Sequence, residues 1–281
     1  MHHLKEEMIK NLQLKGFSPK TQTAYLQYMK DFTRYFGRSP VDMGKAEIKE
    51  YLHYLITEKQ VSRSYVNCAY SALRFFYETT LGRDWEISKI PRVKSIKKLP
   101  TVLDSSEVKQ LIEVTTNLKH RAILMTTYAS GLRVSETTGL KLSDIDSKRM
   151  QLRIEQGKGK KDRYALLSEV NLELLREYWQ KYHPNNWPFP GNPPENSISV
   201  RSIQHIFEKA KQKAGIKKSV SVHSLRHSFA THLLEAGTDI HYIQQLMGHA
   251  SVRTTTIYIH LQKHNALKIT SPLDLLFGTK Q

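Results

Sequence analysis

Cysteine is almost missing from this chain of 281 residues; Cys68 is the single one. That excludes a disulfide framework and fits a reducing compartment. The thiol sits in an apolar helical pattern and is expected to be core filler. Long apolar runs are missing as well, since none approaches the roughly 20 residues needed to span a bilayer. The amino terminus, Met1-His2-His3-Leu4-Lys5-Glu6-Glu7, lacks the apolar stretch of a signal peptide. The expectation is a soluble, cytoplasmic protein with no membrane partner. A zinc set built from His223, His227 and His232 would lack both the His-Glu-x-x-His pattern and cysteine partners, so no metal is expected. No internal repeat or low-complexity tract is present.

Acidic residues are scarce relative to basic ones. Asp and Glu number 26 against 43 Lys and Arg, a formal charge of +17. Such a surface favours polyanions. The excess is shared: basic residues outnumber acids by 18 to 10 through residue 100 and by 25 to 16 beyond it. Charge on both halves suits two modules gripping one duplex better than it suits a single basic tail. The length is enough for two domains, each with its own core. The expected division is residues 1–85, a basic linker over 86–103, and residues 104–281.

The first part reads as four helices. One covers about Leu4 to Leu14. A second starts at Ser18-Pro19, a cap followed by a first-turn proline, and runs with Tyr25, Tyr28, Met29, Phe32 and Phe36 on one face to Gly37. The third spans about Gly44 to Glu58. The fourth begins after Ser62, carries Val66, Ala69, Tyr70, Leu73 and Phe76, and ends near Gly82. The aromatic spacing is that of a core stripe, with a base-stacking platform as the competing reading. From Glu86 to Pro100, prolines and five basic residues without a period mark the linker, either a solvated connection or a strap across a phosphate backbone.

The second part opens with the cap-rich Asp104-Ser105-Ser106-Glu107 and continues helically to Gly131. After another short helix, Gln151-Leu152-Arg153-Ile154-Glu155 alternates with period two. A turn through Gly157-Lys158-Gly159-Lys160-Lys161 leads to a return strand at about Arg163 to Leu167, which leaves lysines at a hairpin tip. Helices are expected over Glu169–Tyr182, Val200–Ala214, His223–Glu235, Asp239–Met247 and Val252–His260, with a surface loop from His183 to Glu195.

Within that last stretch His223, Arg226, His249 and Tyr258 follow in short order. Their side-chain types suit attack on a phosphodiester: arginine pairs with phosphate oxygens, histidines move protons, and tyrosine serves as a nucleophile. Together with Tyr128-Ala129-Ser130-Gly131-Leu132-Arg133-Val134-Ser135-Glu136, Gly157-Lys158-Gly159, His223-Ser224-Leu225-Arg226-His227, Leu246-Met247-Gly248-His249 and Thr256-Ile257-Tyr258, they carry a resemblance. The chain resembles the tyrosine recombinase (phage integrase) family over nearly its whole length, in particular Xer-type and integron-type integrases.

The resemblance implies a mainly α protein. An all-α, SAM-like core-binding domain would precede a mostly helical catalytic domain with a small antiparallel sheet. It implies the catalytic set Arg133, Lys158, His223, Arg226, His249 and Tyr258, no cofactor, and a tetrameric synapse on two double-stranded DNA sites, with an accessory protein or partner recombinase also open. Tyr258 would attack phosphorus to give a 3′-phosphotyrosyl link and a free 5′-hydroxyl. Arg133 and Arg226 would stabilise the charged transition state. Because a phenol is mostly protonated at neutral pH, a base is needed, and His223 is the candidate. Lys158 would protonate the leaving oxygen, with Lys160 as its rival, and His249 would donate to a nonbridging oxygen.

Each position has a plainer reading. Arg133 could pair only with Glu136, Lys158 could be a solvated turn lysine, His223 could cap its helix, and Tyr258 could be core. Six positions in family order favour the chemistry. A type IB topoisomerase uses similar residues, and an inactive DNA-binding regulator is the third reading. The apolar tail, Leu273-Asp274-Leu275-Leu276-Phe277, would dock on its own domain or on a neighbouring protomer. Replacing Lys94, Lys97 and Lys98 with Ala is expected to weaken DNA binding and to flatten its salt dependence. Titrations at several salt concentrations check this, and an unchanged salt slope would reject the strap.

Overall fold

The computed structural model describes residues 2–83, 90–94, 99–155, 162–249 and 251–261. Lys158 and Lys160 at the hairpin tip, Lys97 and Lys98 in the linker, and the apolar tail lie outside the described residues. The chain divides into two units, Met1–Lys97 and Lys98–Gln281.

In the first unit, α1 (His2–Leu14), α2 (Pro19–Phe36), α3 (Lys45–Thr57) and α4 (Arg63–Phe75) follow one another, and one π-turn, Phe76–Thr80, extends α4. Local chemistry sets the ends. Ser18 Oγ accepts the Thr21 N–H at 3.3 Å ahead of Pro19, and Gly37 closes α2 in the left-handed region. At α3 the Glu47 carboxylate reaches back to the Gly44 N–H, 2.8 Å away. Phe32, Ile48, Leu55, Ala69 and Leu73 are fully buried in the core. Phe32 meets the Tyr51 ring edge to face at 5.2 Å, and the Tyr77 hydroxyl donates to the Pro40 carbonyl at 2.8 Å. The aromatic stripe is therefore packing, and each buried ring contributes on the order of 2 kcal/mol of apolar burial.

Cys68 is exposed rather than core filler. The cover over that part of α4 explains the correction. At about 100° per residue, Ala72 and Phe75 lie close to the direction of position 68 and are buried. What distinguishes position 68 is its cover: it stands a turn earlier beside Tyr25 and Tyr28, which are themselves only half-buried. Part of the expected linker is held on the first unit. Asn67 Nδ2 donates to the Val93 carbonyl at 3.0 Å, Arg63 Nη1 donates to the Lys94 carbonyl at 3.1 Å, and Ile90 enters the core.

The second unit contains α5 (Ser105–Glu113), α6 (Leu118–Ala129), α7 (Val134–Gly139), β1 (Ile145–Asp146), β2 (Gln151–Ile154), β3 (Arg163–Leu166), α8 (Glu169–Tyr182), α9 (Val200–Lys213), α10 (Val222–Glu235), α11 (Ile240–Met247) and α12 (Val252–Thr255). The three strands pair antiparallel in the order β1-β2-β3. Leu152 opposite Ala165 turns inward, while Arg153 opposite Tyr164 faces out. Two-residue β1 is too short to leave a period-two signature in sequence. The expected single helix over Val252–His260 is α-helical only to Thr255 and then tightens into a 3-10 turn, Thr256–Leu261. The run Thr254-Thr255-Thr256-Ile257 is β-branched throughout, which lowers helix propensity.

The junction of α6 and α10 frames the site. Gly131 ends the α6 segment at φ +57°, and a Cβ there would lie 2.3 Å from Phe229 Cδ1 on α10. Only glycine provides both the left-handed backbone and the missing volume. Gly131→Ala is expected to cost about 2–4 kcal/mol, from left-handed strain plus overpacking. Thermal unfolding checks this, and a native-like Tm would contradict the packing described.

Candidate active site

One carboxylate organises the site. Arg133 immediately precedes α7, and Glu136, three residues on, accepts the Arg133 backbone N–H at 2.8 Å through Oε2, a helix-start contact the Arg-x-x-Glu spacing makes possible. The same carboxylate takes Arg133 Nη1 at 2.7 Å. From β3, Arg163 grips it with both terminal nitrogens, Nη1 to Oε1 and Nη2 to Oε2, each 2.9 Å. Arg226 on α10 approaches with Nη1 3.7 Å from Oε2. No other carboxylate among the described residues ion-pairs with these three arginines.

Arg226 is the most enclosed, with a side chain 1% exposed. Its Nη1 donates to the Gly131 carbonyl at 2.6 Å and its Nη2 to the Met247 carbonyl. Nη2 also lies 3.3 Å from His249 Nε2. Burial and the neighbouring Arg133 push Arg226 down to about 9, so it stays charged at neutral pH. Three guanidiniums around one carboxylate leave a surplus of two positive charges in a largely desolvated pocket. An arrangement of that kind is costly unless an anion completes it. Forked donors suit the oxygens of a phosphate.

Two turns deliver the remaining groups. Gly248, left-handed at φ +58°, closes α11, and a Cβ on it would stand 2.6 Å from Arg163 Cδ. Arg163 Nε donates to the Leu246 carbonyl at 3.0 Å, so the Leu246-Met247-Gly248-His249 turn is clamped to β3. His249 Nδ1 lies 3.0 Å from Thr255 Oγ1, and its ring stacks on Tyr258 with centroids 6.3 Å apart. Burial, then Arg226 and Arg133, lower His249 to about 4.

The 3-10 turn carries Tyr258 inward until it is 2% exposed. Its hydroxyl meets His227 Nδ1 at 3.1 Å. Burial raises this phenol, with Arg226 and Arg133 pulling the other way. His227 is lowered to about 4 by burial, then by His223 and Arg226. His223, one helical turn earlier and exposed, meets the His227 ring edge to face at 4.6 Å.

Arg133, His223, Arg226, His249 and Tyr258 thus come together around one pocket, while Lys158 lies outside the described residues. The plainer readings of Arg133 and Tyr258 hold alongside the functional ones, since the arginine does pair with Glu136 and the tyrosine is buried. Sequence reasoning gave Glu136 only the pairing with Arg133, and gave His227 and Arg163 no part in the site's chemistry. Glu136 and His227 stood within the motifs at i,i+3 and i,i+4 spacing from Arg133 and His223, a signal that was available. Arg163 meets its carboxylate across 27 residues of chain, and nothing local announces that. His232, considered for a metal set, is instead bonded through Nδ1 to the Tyr128 hydroxyl at 2.9 Å. No group of three or more His, Cys, Asp or Glu among the described residues could hold a metal ion, and no described helix is long and apolar enough to cross a membrane.

Comparison with known proteins agrees across the length of the chain. Residues 101–265 match the Phage integrase family, and residues 4–87 match the Phage integrase N-terminal SAM-like domain. The integrase/recombinase-type protein y4qK of Sinorhizobium fredii is 43% identical over 277 residues, covering 98% of this chain and 90% of that protein. Tyrosine recombinase XerC of Halalkalibacterium halodurans is 32% identical, covering 89% of each. The crystal structure of a lambda integrase tetramer bound to a Holliday junction shares the fold, with TM-score 0.74, 19% identity, and coverage of 92% of this chain and 76% of that one.

Glu136 is the residue whose loss should be felt most widely. Burial alone would raise its carboxyl, but Arg163 and then Arg133 outweigh that and hold it below the ordinary 4.5. A lowered folded-state pKa contributes stability above the unfolded value, and that stability is lost as pH falls through the folded one. Glu136→Gln is expected to cost about 3 kcal/mol at neutral pH, by leaving buried guanidiniums uncompensated, and to remove part of the acid sensitivity. Urea unfolding at neutral pH and through the carboxylate range checks both, and unchanged stability would contradict the organising role.

Proposed function

The chain belongs to the phage integrase family, the tyrosine recombinases, and is an enzyme of DNA recombination. From that premise we propose that it exchanges strands between two specific DNA sites through a covalent 3′-phosphotyrosyl intermediate on Tyr258. The observation carrying this reading is the placement, within one chain, of Tyr258 beside His227 and His249 and a pocket of arginines with surplus positive charge.

In the proposed step, Tyr258 Oη gives up its proton to a histidine of α10, His223 as the resemblance implies or His227 as the nearer group, and forms a bond to phosphorus. The bond from phosphorus to the 5′-oxygen breaks, and that oxygen takes the electron pair and a proton, which Lys158 supplies with Lys160 as the alternative donor. Negative charge gathering on the nonbridging oxygens falls to Arg133 and Arg226. Because this charge is greatest in the transition state, the guanidiniums stabilise it more than the bound substrate. His249 assists once its Nε2 carries a hydrogen and turns from Arg226 Nη2 to the oxygen. One ester replaces another, so a 5′-hydroxyl from a second strand can reverse the step without a nucleotide triphosphate.

Strand exchange needs two sites held together. The lambda integrase tetramer on a Holliday junction supports a tetrameric synapse for this chain too. The two basic halves suit a clamp around one duplex. Relaxation by a type IB topoisomerase would use the same first ester exchange but return each strand to its own partner.

A nicked DNA site, from which the strand beyond the cleavage point is lost on cutting, tests the chemistry. The native chain should accumulate a covalent adduct that resists denaturation, and Tyr258→Phe should accumulate none. Peptide mapping that located the DNA on another residue would overturn the assignment.

A further inference from the structure

The reading above leaves the phenol's proton to either of two histidines, and the geometry separates them. Resting on that reading, we propose that His227 is a catalytic residue, the immediate acceptor of the Tyr258 proton, and that His223 is left to face the phosphate at the mouth of the pocket. His227 Nδ1 stands 3.1 Å from Tyr258 Oη, within the reach required of a general base. His223 makes ring contact with His227, with centroids 4.6 Å apart, but no hydrogen bond joins it to Tyr258 among the described contacts. The two differ in setting as well: His223 is exposed, and His227 lies half-buried beneath it.

For the transfer to run, His227 must hold its hydrogen on Nε2 and present the Nδ1 lone pair to the phenol. The proton then passes from Oη to Nδ1, giving an imidazolium, as the oxygen lone pair forms the bond to phosphorus. Groups bearing on that imidazolium are His223 and Arg226 from α10, Tyr258 from the 3-10 turn, and His249 from the end of α11. In the absence of DNA, burial and the charge on Arg226 make His227 a poor base. A phosphodiester seated on the arginines offsets that charge and raises its basicity. The base is therefore switched on by the substrate, and water entering an empty pocket meets neither an activated phenol nor an imidazolium.

The test is single-turnover cleavage of the nicked DNA site by the full chain, followed against pH. Asn places an acceptor oxygen close to the histidine Nδ1 position without its basicity, so His227→Asn separates proton acceptance from mere positioning. The expected result is cleavage slowed by about a hundredfold or more at neutral pH, with DNA affinity kept. The rate of the variant should climb by about tenfold per pH unit as hydroxide takes over, whereas the native rate levels off. His223→Asn should keep the native shape of that pH profile. Native-like cleavage by His227→Asn, or a pH profile parallel to the native one, overturns the proposal. If His227→Asn also loses DNA affinity, His227→Gly with added imidazole decides: restored cleavage supports the assignment and no restoration overturns it. Failure of the native chain to form any adduct would instead strike the recombinase reading, so the two failures are distinguishable.

Discussion

A single buried carboxylate facing three guanidiniums is the constraint on which the second unit is built. Glu136 fixes Arg133 through the start of α7, reaches Arg163 across the chain on β3, and tempers Arg226 at the foot of α10. One negative charge cannot neutralise three positive ones. The pocket therefore keeps an unmet demand for an anion and a shape already set before one arrives. Preorganised charge of this kind is worth more than the same groups in water, since nothing has to be reoriented during reaction. The glycines at 131 and 248 serve the same end. Each removes a side chain where an aromatic ring or an arginine stem must pass.

How far the sequence was legible depended on whether the signal was local. Helix ends were, because caps act within a turn: Ser18 with Pro19, and Gly131 closing the α6 segment, stand where the side-chain chemistry puts them. The mainly helical fold with a small antiparallel sheet was legible for the same reason. The types and order of the six proposed catalytic side chains were legible, and five of them, Arg133, His223, Arg226, His249 and Tyr258, gather around one pocket. What escaped was geometry that no neighbour in sequence determines. Arg163 looked like the first residue of a strand, and its partner lies far upstream. Cys68 is exposed because of what packs over its end of α4, which the helical angle does not reveal, since Ala72 and Phe75 at nearly the same angle are buried. The helix expected over Val252–His260 stops at Thr255 because a run of β-branched residues tightens it into a narrower turn.

The two histidines on α10 show how one repeat of the helix can divide labour. Separated by four residues, they share a face, yet one is exposed and the other meets the phenol under cover. Burial disfavours a cation at the inner position until negative charge arrives nearby. Chemistry that would be wasteful in an empty site is thereby tied to occupancy, with no moving lid required.

Arg163 has a further consequence. It touches β3 through its backbone, α7 through Glu136, and the turn after α11 through the Leu246 carbonyl. A slide of the strand along its axis would tug the carboxylate and the His249 turn together, altering the field at Arg133 and Arg226 in the same movement. The edge of a three-stranded sheet is in this sense a tuning peg for the charges several residues away.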